Sequence, residues 1–370
     1  MLSPRILFVV NVDWFFISHR LPLAIEAKKR GFEVSIATTN TGRFEELETL
    51  GFHLYELKID RSGTNLLNEF ISIIKLIKIV KIVHPTVIHN VTLKVSIYSS
   101  IASRFVQKSK IINAISGLGY NFTAERKTKS QRIIYALMKY AFKKRGFTFI
   151  FQNPDDLLLF QNLEFDQGNK LVLIKGAGVD IDIFKPSERK YRKTAGFILT
   201  SRMLKDKGIS EYINASKIVR TKYPGAKFIL AGDIDKENHA SYTELELRKE
   251  LNGTGIEWLG QRNDIAELLQ NSDVMVFPSY REGLPKSLIE AAATGLAIIT
   301  TDTTGCRECV DEGINGFLVP VGDSILLAQK MIELIEDRIL LKKMGRASRI
   351  KAENEFSLEM VIERTFALYE

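Results

Sequence analysis

Two glutamates, Glu282 and Glu290, lie eight residues apart in a segment that has the groups needed to hold a phosphorylated sugar. The apolar stretch 274–277 before them predicts a buried strand, and Pro285 predicts a helix start, where a missing N–H costs nothing. The backbone at Gly283 would then present N–H groups and the positive end of a helix dipole to an anion. Carboxylates cannot bind phosphate but accept hydrogen bonds from hydroxyls, so the pattern indicates recognition of a sugar nucleotide.

A basic loop is predicted earlier in the chain, between the apolar stretch 197–200 and a helix that starts at Gly208. It carries Arg202 and Lys207. Loops that follow parallel strands meet at one edge of a sheet, so these cations are expected near the glutamates. They could bind a diphosphate and stabilise its charge as it leaves. The alternative interpretation is that both basic side chains face water.

The segment from Ser279 to Glu290 resembles the glutamate-pair signature of the retaining glycosyltransferases of family 4. Arg202 and Lys207 match the Arg-x4-Lys element of the same family. The resemblance covers nearly the whole chain and is strongest over residues 175–320. It implies the α/β fold called GT-B, in which two Rossmann-like, doubly wound parallel-sheet domains face a deep cleft.

The resemblance also implies a role for individual residues. Arg202, Lys207 and Glu282 would be catalytic, with Glu282 holding hydroxyls of the donor sugar and Glu290 those of the ribose. Residues 259–262 lie where the base is usually held. The implied donor-binding residues are Glu290, Gly283, Leu284, Pro285, Ser279, Gly117, Ser116 and Arg262.

The sequence departs from the commoner family pattern at two places. Ser116 stands where many members have a histidine, and residues 11–16 replace a Gly-Gly pair in the first loop. Both features resemble the subgroup that extends lipid-diphosphate-linked sugars in bacterial O-antigen, capsule or N-glycan assembly. Asp13, His19 and His89 are the acceptor-side candidates, and each histidine is equally well interpreted as a hydrogen-bonded structural residue.

Strand and helix patterns alternate along all 370 residues, which favours two domains with doubly wound parallel sheets. We predict an N-terminal acceptor-binding domain over residues 1–175 and a sugar-nucleotide domain over 176–355. By resemblance, a final helix over 356–370 packs back on the first domain. The first strand is expected to lead into a loop over 11–18 and then a helix that ends at Arg30.

The chain is basic, with a formal net charge of +8, which fits nucleic acid, an anionic membrane or an anionic substrate. Basic and aromatic residues alternate over 104–145 without a recognisable nucleic-acid module, so we expect contact with anionic lipid rather than nucleic acid. A solvated basic helix is the alternative. Lys75, Lys78 and Lys81 are interpreted as the water-facing side of a core helix. These expectations place the protein in the cytoplasm, peripheral on the inner face of the cytoplasmic membrane.

No metal is predicted. The Asp-x-Asp strings at 180–182 and 233–235 resemble metal-binding motifs of another fold, but they are short and common, and Arg202 and Lys207 already supply positive charge. Cys306 and Cys309 have redox or zinc spacing but no second cysteine pair, so they are interpreted as two small residues near a helix start.

We therefore expect a retaining, metal-independent hexosyltransferase without cofactors. It would move a sugar, with N-acetylhexosamine as the expected one, from a UDP-sugar to a polyprenyl-diphosphate-linked glycan. Two alternatives are a UDP-sugar 2-epimerase of the same fold, which needs no acceptor, and a non-catalytic sugar-nucleotide-binding module, which would release no UDP.

Overall fold

The computed structural model describes residues 3–59, 66–106, 109–118, 129–143, 146–165, 168–187, 195–236 and 238–370. The chain divides into two compact units. Met1–Ala177 and Ile362–Glu370 form the first unit, and Gly178–Val361 forms the second. Within the described ranges, every helix is too short or too polar to traverse a lipid bilayer.

The first unit is a parallel sheet with helices between its strands. Its described strands pair in the order β3-β2-β1-β4-β5-β6-β7. The elements are β1 (Arg5–Val12), α1 (Asp13–His19), α2 (Leu21–Lys29), β2 (Glu33–Thr39), α3 (Phe44–Thr49), β3 (His53–Glu56), α4 (Leu66–Val83), β4 (Val87–Val91), α5 (Leu93–Ala102), β5 (Lys110–Ile115), α6 (Lys129–Phe142), β6 (Thr148–Phe151), α7 (Pro154–Asn162) and β7 (Lys170–Leu173).

The second unit repeats this plan, with strand order β10-β9-β8-β11-β12-β13. The elements are β8 (Gly196–Thr200), α8 (Ile209–Lys222), β9 (Lys227–Ala231), α9 (Glu244–Leu251), β10 (Glu257–Trp258), α10 (Ile265–Gln270), β11 (Val274–Phe277), α11 (Lys286–Ala293), β12 (Ala297–Thr301), β13 (Gly316–Val319), α12 (Ser324–Glu336), α13 (Arg338–Lys351) and α14 (Leu358–Phe366), the last of which ends in the first unit.

The central strands explain why the sheets are parallel and internal. All residues of β8, β11 and β12 are buried, as are Ile6–Val10 of β1, so these strands carry apolar side chains on both faces. A strand of this kind needs helices on both sides of its sheet, and crossover helices supply them. The prediction of two doubly wound parallel sheets is confirmed.

Each sheet reverses its strand order once, between β1 and β4 in the first unit and between β8 and β11 in the second. Loops that leave neighbouring strands on opposite faces open a crevice at such a reversal, which is where open α/β sheets bind ligands. In the second unit these two loops are residues 201–208 and 278–285, the segments that carry the predicted cations and glutamates.

The predicted loop over residues 11–18 is wrong. The chain is helical from Asp13 to His19, and a second helix begins at Leu21. Pro22 in the first turn of α2 explains the break, because proline donates no hydrogen bond to a preceding turn but suits a helix start.

The last residues of the chain pack inside the first unit. Tyr369 Oη lies 2.9 Å from His89 Nδ1, and Arg30 lies over the Phe366 ring at 4.2 Å. Burial lowers the pKa of His89 well below its ordinary value of 6.5, and Arg20 lowers it further. His89 is only 1% exposed, so the structure does not support the prediction that it contacts an acceptor.

Stability should therefore depend on pH through His89. Its folded-state pKa is depressed, so the unfolded chain takes up this proton first and stability falls as pH drops below about 6.5, by up to about 1.4 kcal/mol per pH unit. His89→Gln should flatten this slope, whereas His53→Gln, at an exposed site, should leave it unchanged. Urea unfolding between pH 5 and 8 measures this. Equal slopes in all three proteins would contradict the assignment.

Candidate functional site

The loop after β8 is held against the loop after β11 by a glycine. Gly208 has φ +73°, and a Cβ atom there would lie 2.1 Å from the Pro278 carbonyl oxygen. No other residue could occupy this position without separating the two loops. The 3₁₀ turn Lys205–Lys207 that precedes Gly208 is thereby pressed against the β11 loop. The backbone N–H of Tyr280 donates to the Asp206 carbonyl at 2.9 Å and closes the contact.

This approach brings Lys207 to Glu282. Lys207 Nζ lies 2.5 Å from Glu282 Oε1, and the side chains are 13% and 15% exposed. Ser279 Oγ donates to the same carboxylate oxygen at 2.7 Å. The predicted cation and the predicted sugar-binding carboxylate thus form one hydrogen-bonded cluster, in which each charge compensates for the partial burial of the other.

The backbone beneath this cluster is fixed from the end of β12. The Glu282 N–H donates to the Thr304 carbonyl at 3.0 Å, and Thr303 Oγ1 donates to the Tyr280 carbonyl at 2.9 Å. Gly305, with φ +79°, passes so close that a Cβ atom would lie 2.5 Å from the carbonyl oxygens of both Glu282 and Gly283. The loop that carries Glu282 can therefore lie this close to residue 305 only because that residue is a glycine.

The second glutamate lies on α11. Pro285 precedes the first helical residue, and Leu284 and Pro285 are both buried. Glu290 Oε1 is 3.4 Å from Lys286 Nζ, and its side chain is 13% exposed. Burial raises the pKa of Glu290, and the Lys286 ammonium group opposes this rise. Glu290 is thus a partly desolvated acceptor one turn into the helix, as the sequence predicts.

The other cation of the basic loop has a different partner. Arg202 Nη1 lies 2.5 Å from Asp235 Oδ2 in the loop after β9. Arg262, in the loop after β10, pairs with Asp264, whose hydrogen bond raises the pKa of the guanidinium group. The loops after β8, β9, β10 and β11 leave the same edge of one sheet. The second unit therefore collects all five predicted charged donor residues there, four in these loops and Glu290 on the helix that follows the β11 loop.

A groove of about 1110 Å³ lies beside this edge. Its walls are the loop after β9, the helix α9 and the loop after β10. Trp258 forms part of one wall, where its indole N–H donates to the Gly232 carbonyl at 2.9 Å and Arg248 lies over its ring at 5.4 Å. The groove is large enough for a drug-sized ligand and combines ring surface with polar groups, which is typical of small-molecule sites.

Two protein families match the chain. "Glycosyl transferases group 1" matches residues 180–351, and "Glycosyl transferase 4-like" matches residues 5–153. Between them they include every described strand except β7, and the whole loop cluster. The chain belongs to these glycosyltransferase families. The family expected from the glutamate pair and the Arg-x4-Lys element is confirmed.

Curated relatives of this glycosyltransferase include enzymes named for lipid-linked acceptors. The chain is 27% identical to N,N'-diacetylbacillosaminyl-diphospho-undecaprenol alpha-1,3-N-acetylgalactosaminyltransferase of Campylobacter jejuni, over 99% of this chain and 98% of that protein. It is 26% identical to UDP-Gal:alpha-D-GlcNAc-diphosphoundecaprenol alpha-1,3-galactosyltransferase of Escherichia coli, over 76% and 74% of the two chains.

Solved structures share the fold of this glycosyltransferase. The Anabaena protein HepE, in complex with UDP and glucose, matches with a TM-score of 0.77 at 19% identity over 98% of both chains. Sucrose-phosphate synthase of Thermosynechococcus elongatus matches with a TM-score of 0.79 at 18% identity over 99% and 98%. These matches confirm the GT-B fold predicted for the chain.

The remaining site candidates lie in the first unit of the glycosyltransferase. Ser116 and Gly117 directly follow β5, and Gly117 has φ +143°. His19 stacks on Phe15 with ring centroids 4.0 Å apart. The donor-binding role of Ser116 and Gly117 and the acceptor-side role of His19 stay predictions.

Asp13 is used inside the first unit. It is fully buried, and its carboxylate accepts hydrogen bonds from the backbone N–H groups of Trp14 and Thr41 at 2.7 Å, from that of Arg43 at 3.1 Å, and from the Thr41 hydroxyl. These donors stabilise the charged carboxylate. The structure therefore does not support the prediction that Asp13 contacts an acceptor hydroxyl. Asp13 instead holds the loop after β2.

The two Asp-x-Asp strings have backbone and arginine partners. Asp180 Oδ1 accepts from the N–H groups of Asp182 and Ile183, and Asp235 pairs with Arg202. Among the described residues, His, Cys, Asp and Glu nowhere group in threes that could hold a metal ion. Both cysteines are buried free thiols, and burial raises the pKa of Cys306 to about 12.

Gly305→Ala should lower the rate of sugar transfer by more than any loss of folded protein can explain. The added Cβ must push the Glu282–Gly283 backbone, and small displacements of catalytic groups cost about a hundredfold in rate. Gly313→Ala is the control, because Gly313 has a similar φ of +73° and open space around its Cβ. Gly313→Ala should lose about 1 kcal/mol of stability to backbone strain, and Gly305→Ala should lose about 1–3 kcal/mol more to the overlap of its Cβ with the backbone. Transfer rates and thermal unfolding report the two effects; equal transfer rates in both variants would contradict this role for Gly305.

Proposed function

We propose that this glycosyltransferase moves an N-acetylhexosamine from a UDP-sugar to a polyprenyl-diphosphate-linked glycan, with retention at the anomeric carbon and without a metal. The observation that carries the proposal is the Lys207–Glu282–Ser279 cluster. It places a cation beside a carboxylate that can accept hydrogen bonds from sugar hydroxyls, at the sheet edge. The Campylobacter jejuni and Escherichia coli relatives, which are named for undecaprenyl-diphosphate-linked acceptors, support the lipid-linked acceptor.

The reaction we propose requires little of the protein besides charge and position. The acceptor oxygen forms a bond to the anomeric carbon as the bond from that carbon to the UDP oxygen breaks. The acceptor proton passes to a phosphate oxygen of the leaving UDP on the same face of the sugar, so no side chain need act as base. Arg202 and Lys207 stabilise the negative charge that develops on the diphosphate.

Glu282 would bind the donor sugar while it remains paired with Lys207. Its carboxylate has lone pairs beyond those that face Lys207 and Ser279, so it can also accept hydrogen bonds from sugar hydroxyls. Lys207 offsets the cost of keeping that carboxylate charged in a site with little water. Glu290 would hold the ribose hydroxyls as a second, partly desolvated acceptor.

We also propose that the protein acts in the cytoplasm, bound peripherally to the inner face of the cytoplasmic membrane. Much of the basic segment 104–145 lies outside the described residues, but α4 offers a better candidate surface. One side of this helix exposes Phe70, Ile71 and Ile82 by 61%, 60% and 65%, next to the exposed lysines Lys75, Lys78 and Lys81. A helix side that combines apolar and basic residues suits anionic lipid.

The interpretation of Lys75, Lys78 and Lys81 as only the water-facing side of a core helix therefore misses their apolar neighbours. The exposed Leu137 and Tyr140 of α6, with Arg104 over the Tyr140 ring at 4.3 Å, extend the same chemistry to a second helix. Both α4 and α6 pack against α5.

The function is tested with purified protein in detergent and EDTA, a panel of UDP- and GDP-sugars, and a polyprenyl-diphosphate-linked sugar. A lengthened lipid product that retains anomeric configuration is expected with a UDP-N-acetylhexosamine. An altered UDP-sugar formed without acceptor would favour the epimerase. Nucleotide binding without turnover of any donor, with or without metal, would favour the binding module.

In the same assay, Lys207→Ala should lower kcat about a hundredfold or more, the usual effect of removing one group that stabilises transition-state charge. It also leaves Glu282 without its cation, which costs stability. Lys207→Ala with Glu282→Gln removes that uncompensated charge and should recover part of the melting temperature but no activity. Recovery of activity along with stability would show that Lys207 is only structural.

Membrane association is tested by sedimentation with vesicles. The double variant Ile71→Ser/Ile82→Ser should bind vesicles that contain phosphatidylglycerol at least about tenfold more weakly, because burial of each isoleucine contributes on the order of 2 kcal/mol. Ile339→Ser, an 83% exposed residue of the second unit, is the control and should bind normally. Equal binding by all three proteins would contradict docking through α4.

A further inference from the structure

The pair between Arg202 and Asp235 has no part in the reaction described so far. Arg202 is 40% exposed, whereas Asp235 is only 11% exposed and is the better anchored of the two. The backbone N–H of Asp235 donates to Ser241 Oγ at 3.1 Å, and Ser241 Oγ in turn donates to the Met203 carbonyl at 3.2 Å. Asp235 is thus connected to the loop that carries Arg202 through its backbone as well as through its carboxylate.

The two loops are also joined along their backbones. The N–H of Met203 donates to the Asp233 carbonyl, the N–H of Lys205 to the Ala240 carbonyl, and the N–H of Tyr242 to the Met203 carbonyl, each at 2.9 Å. The described residues 233–236 and 238–242 therefore support the basic loop through three backbone hydrogen bonds. Asp235 is the residue of this support whose charged side chain reaches a predicted catalytic cation.

We propose that Asp235 is a positioning residue that directs the Arg202 guanidinium group toward the donor diphosphate. This inference rests on the proposed function of Arg202. An arginine side chain has many rotamers, and a carboxylate on Nη1 fixes the plane in which its five N–H donors point. Asp235 itself does not touch the substrate.

A carboxylate near a diphosphate has an electrostatic cost. It reduces the positive potential that attracts the nucleotide, so a residue kept only for binding would be better neutral. A charged residue here is explained if accurate orientation of Arg202 in the transition state outweighs weaker binding of the ground state. Loss of the Asp235 charge should therefore lower kcat but strengthen UDP binding, whereas loss of a merely structural residue would weaken both.

Asp235 also connects the groove to the basic loop. Its neighbours Asp233, Ile234 and Lys236 line the wall of the groove, while Asp235 itself pairs with Arg202. A ligand that binds against this wall would therefore fix the Asp235 carboxylate and, through it, the Arg202 side chain.

Asp235→Asn tests the inference because it keeps the shape and removes the charge. We expect kcat for sugar transfer to fall about tenfold, since a charge-assisted hydrogen bond becomes a neutral one. The Kd for UDP, measured by calorimetry, should fall by about threefold because a negative charge has been removed. Glu336→Gln, which breaks the exposed pair with Lys222 at the same 2.5 Å distance, is the control and should change neither.

Arg202→Ala shows whether Asp235 acts through the arginine. In that background Asp235→Asn should no longer change kcat, because residues that act through one group are not additive, whereas the fall in the Kd for UDP should persist because the negative charge is still removed. An equal fall of kcat in both backgrounds, an unchanged kcat in Asp235→Asn, or UDP binding weakened in parallel with kcat would each overturn the inference. If Arg202→Ala alone leaves transfer and UDP binding intact, the proposed function of Arg202 is wrong, and the inference falls with it.

Discussion

The ion pair between Lys207 and Glu282 is the contact on which the arrangement of the donor loops depends. Two opposite charges that are mostly buried can stay there only if they remain together, because a single one would be left uncompensated in a poorly hydrated site. The pair therefore sets the distance between the loops after β8 and β11. Gly208 and Gly305 permit that distance, since any side chain at either position would collide with the opposite backbone.

Much of this arrangement could be predicted from the sequence. Apolar stretches separated by helical patterns indicate buried parallel strands, and polar loops at their carboxyl ends indicate the site, because parallel topology leaves few alternatives. Local signals near Pro285 and Gly208 then mark where helices begin. Glu282, Glu290, Arg202 and Lys207 were accordingly assigned to one edge of one sheet, which is where the structure has them.

The sequence does not reveal properties that depend on packing in three dimensions. His89 and Asp13 have the chemistry of catalytic residues, but neither residue type reveals that Tyr369 or the Thr41 backbone will occupy it. The Asp235 partner of Arg202 comes from a loop 33 residues away. Likewise, the lysines of α4 predict a solvated surface, whereas the exposed isoleucines beside them become apparent only when the partners of the helix are known.

The last nine residues, Ile362–Glu370, complete a unit that otherwise ends at Ala177. During synthesis on the ribosome, the first unit emerges early yet waits for nearly two hundred further residues before Phe366 and Tyr369 can cover Phe32 and His89. The second unit, continuous in sequence, can finish folding before that happens. The nascent first unit must therefore stay soluble while its apolar site for Phe366 and Tyr369 is still open. A chain that lacks Ile362–Glu370 would lose contacts of the first unit and none of the residues of the second.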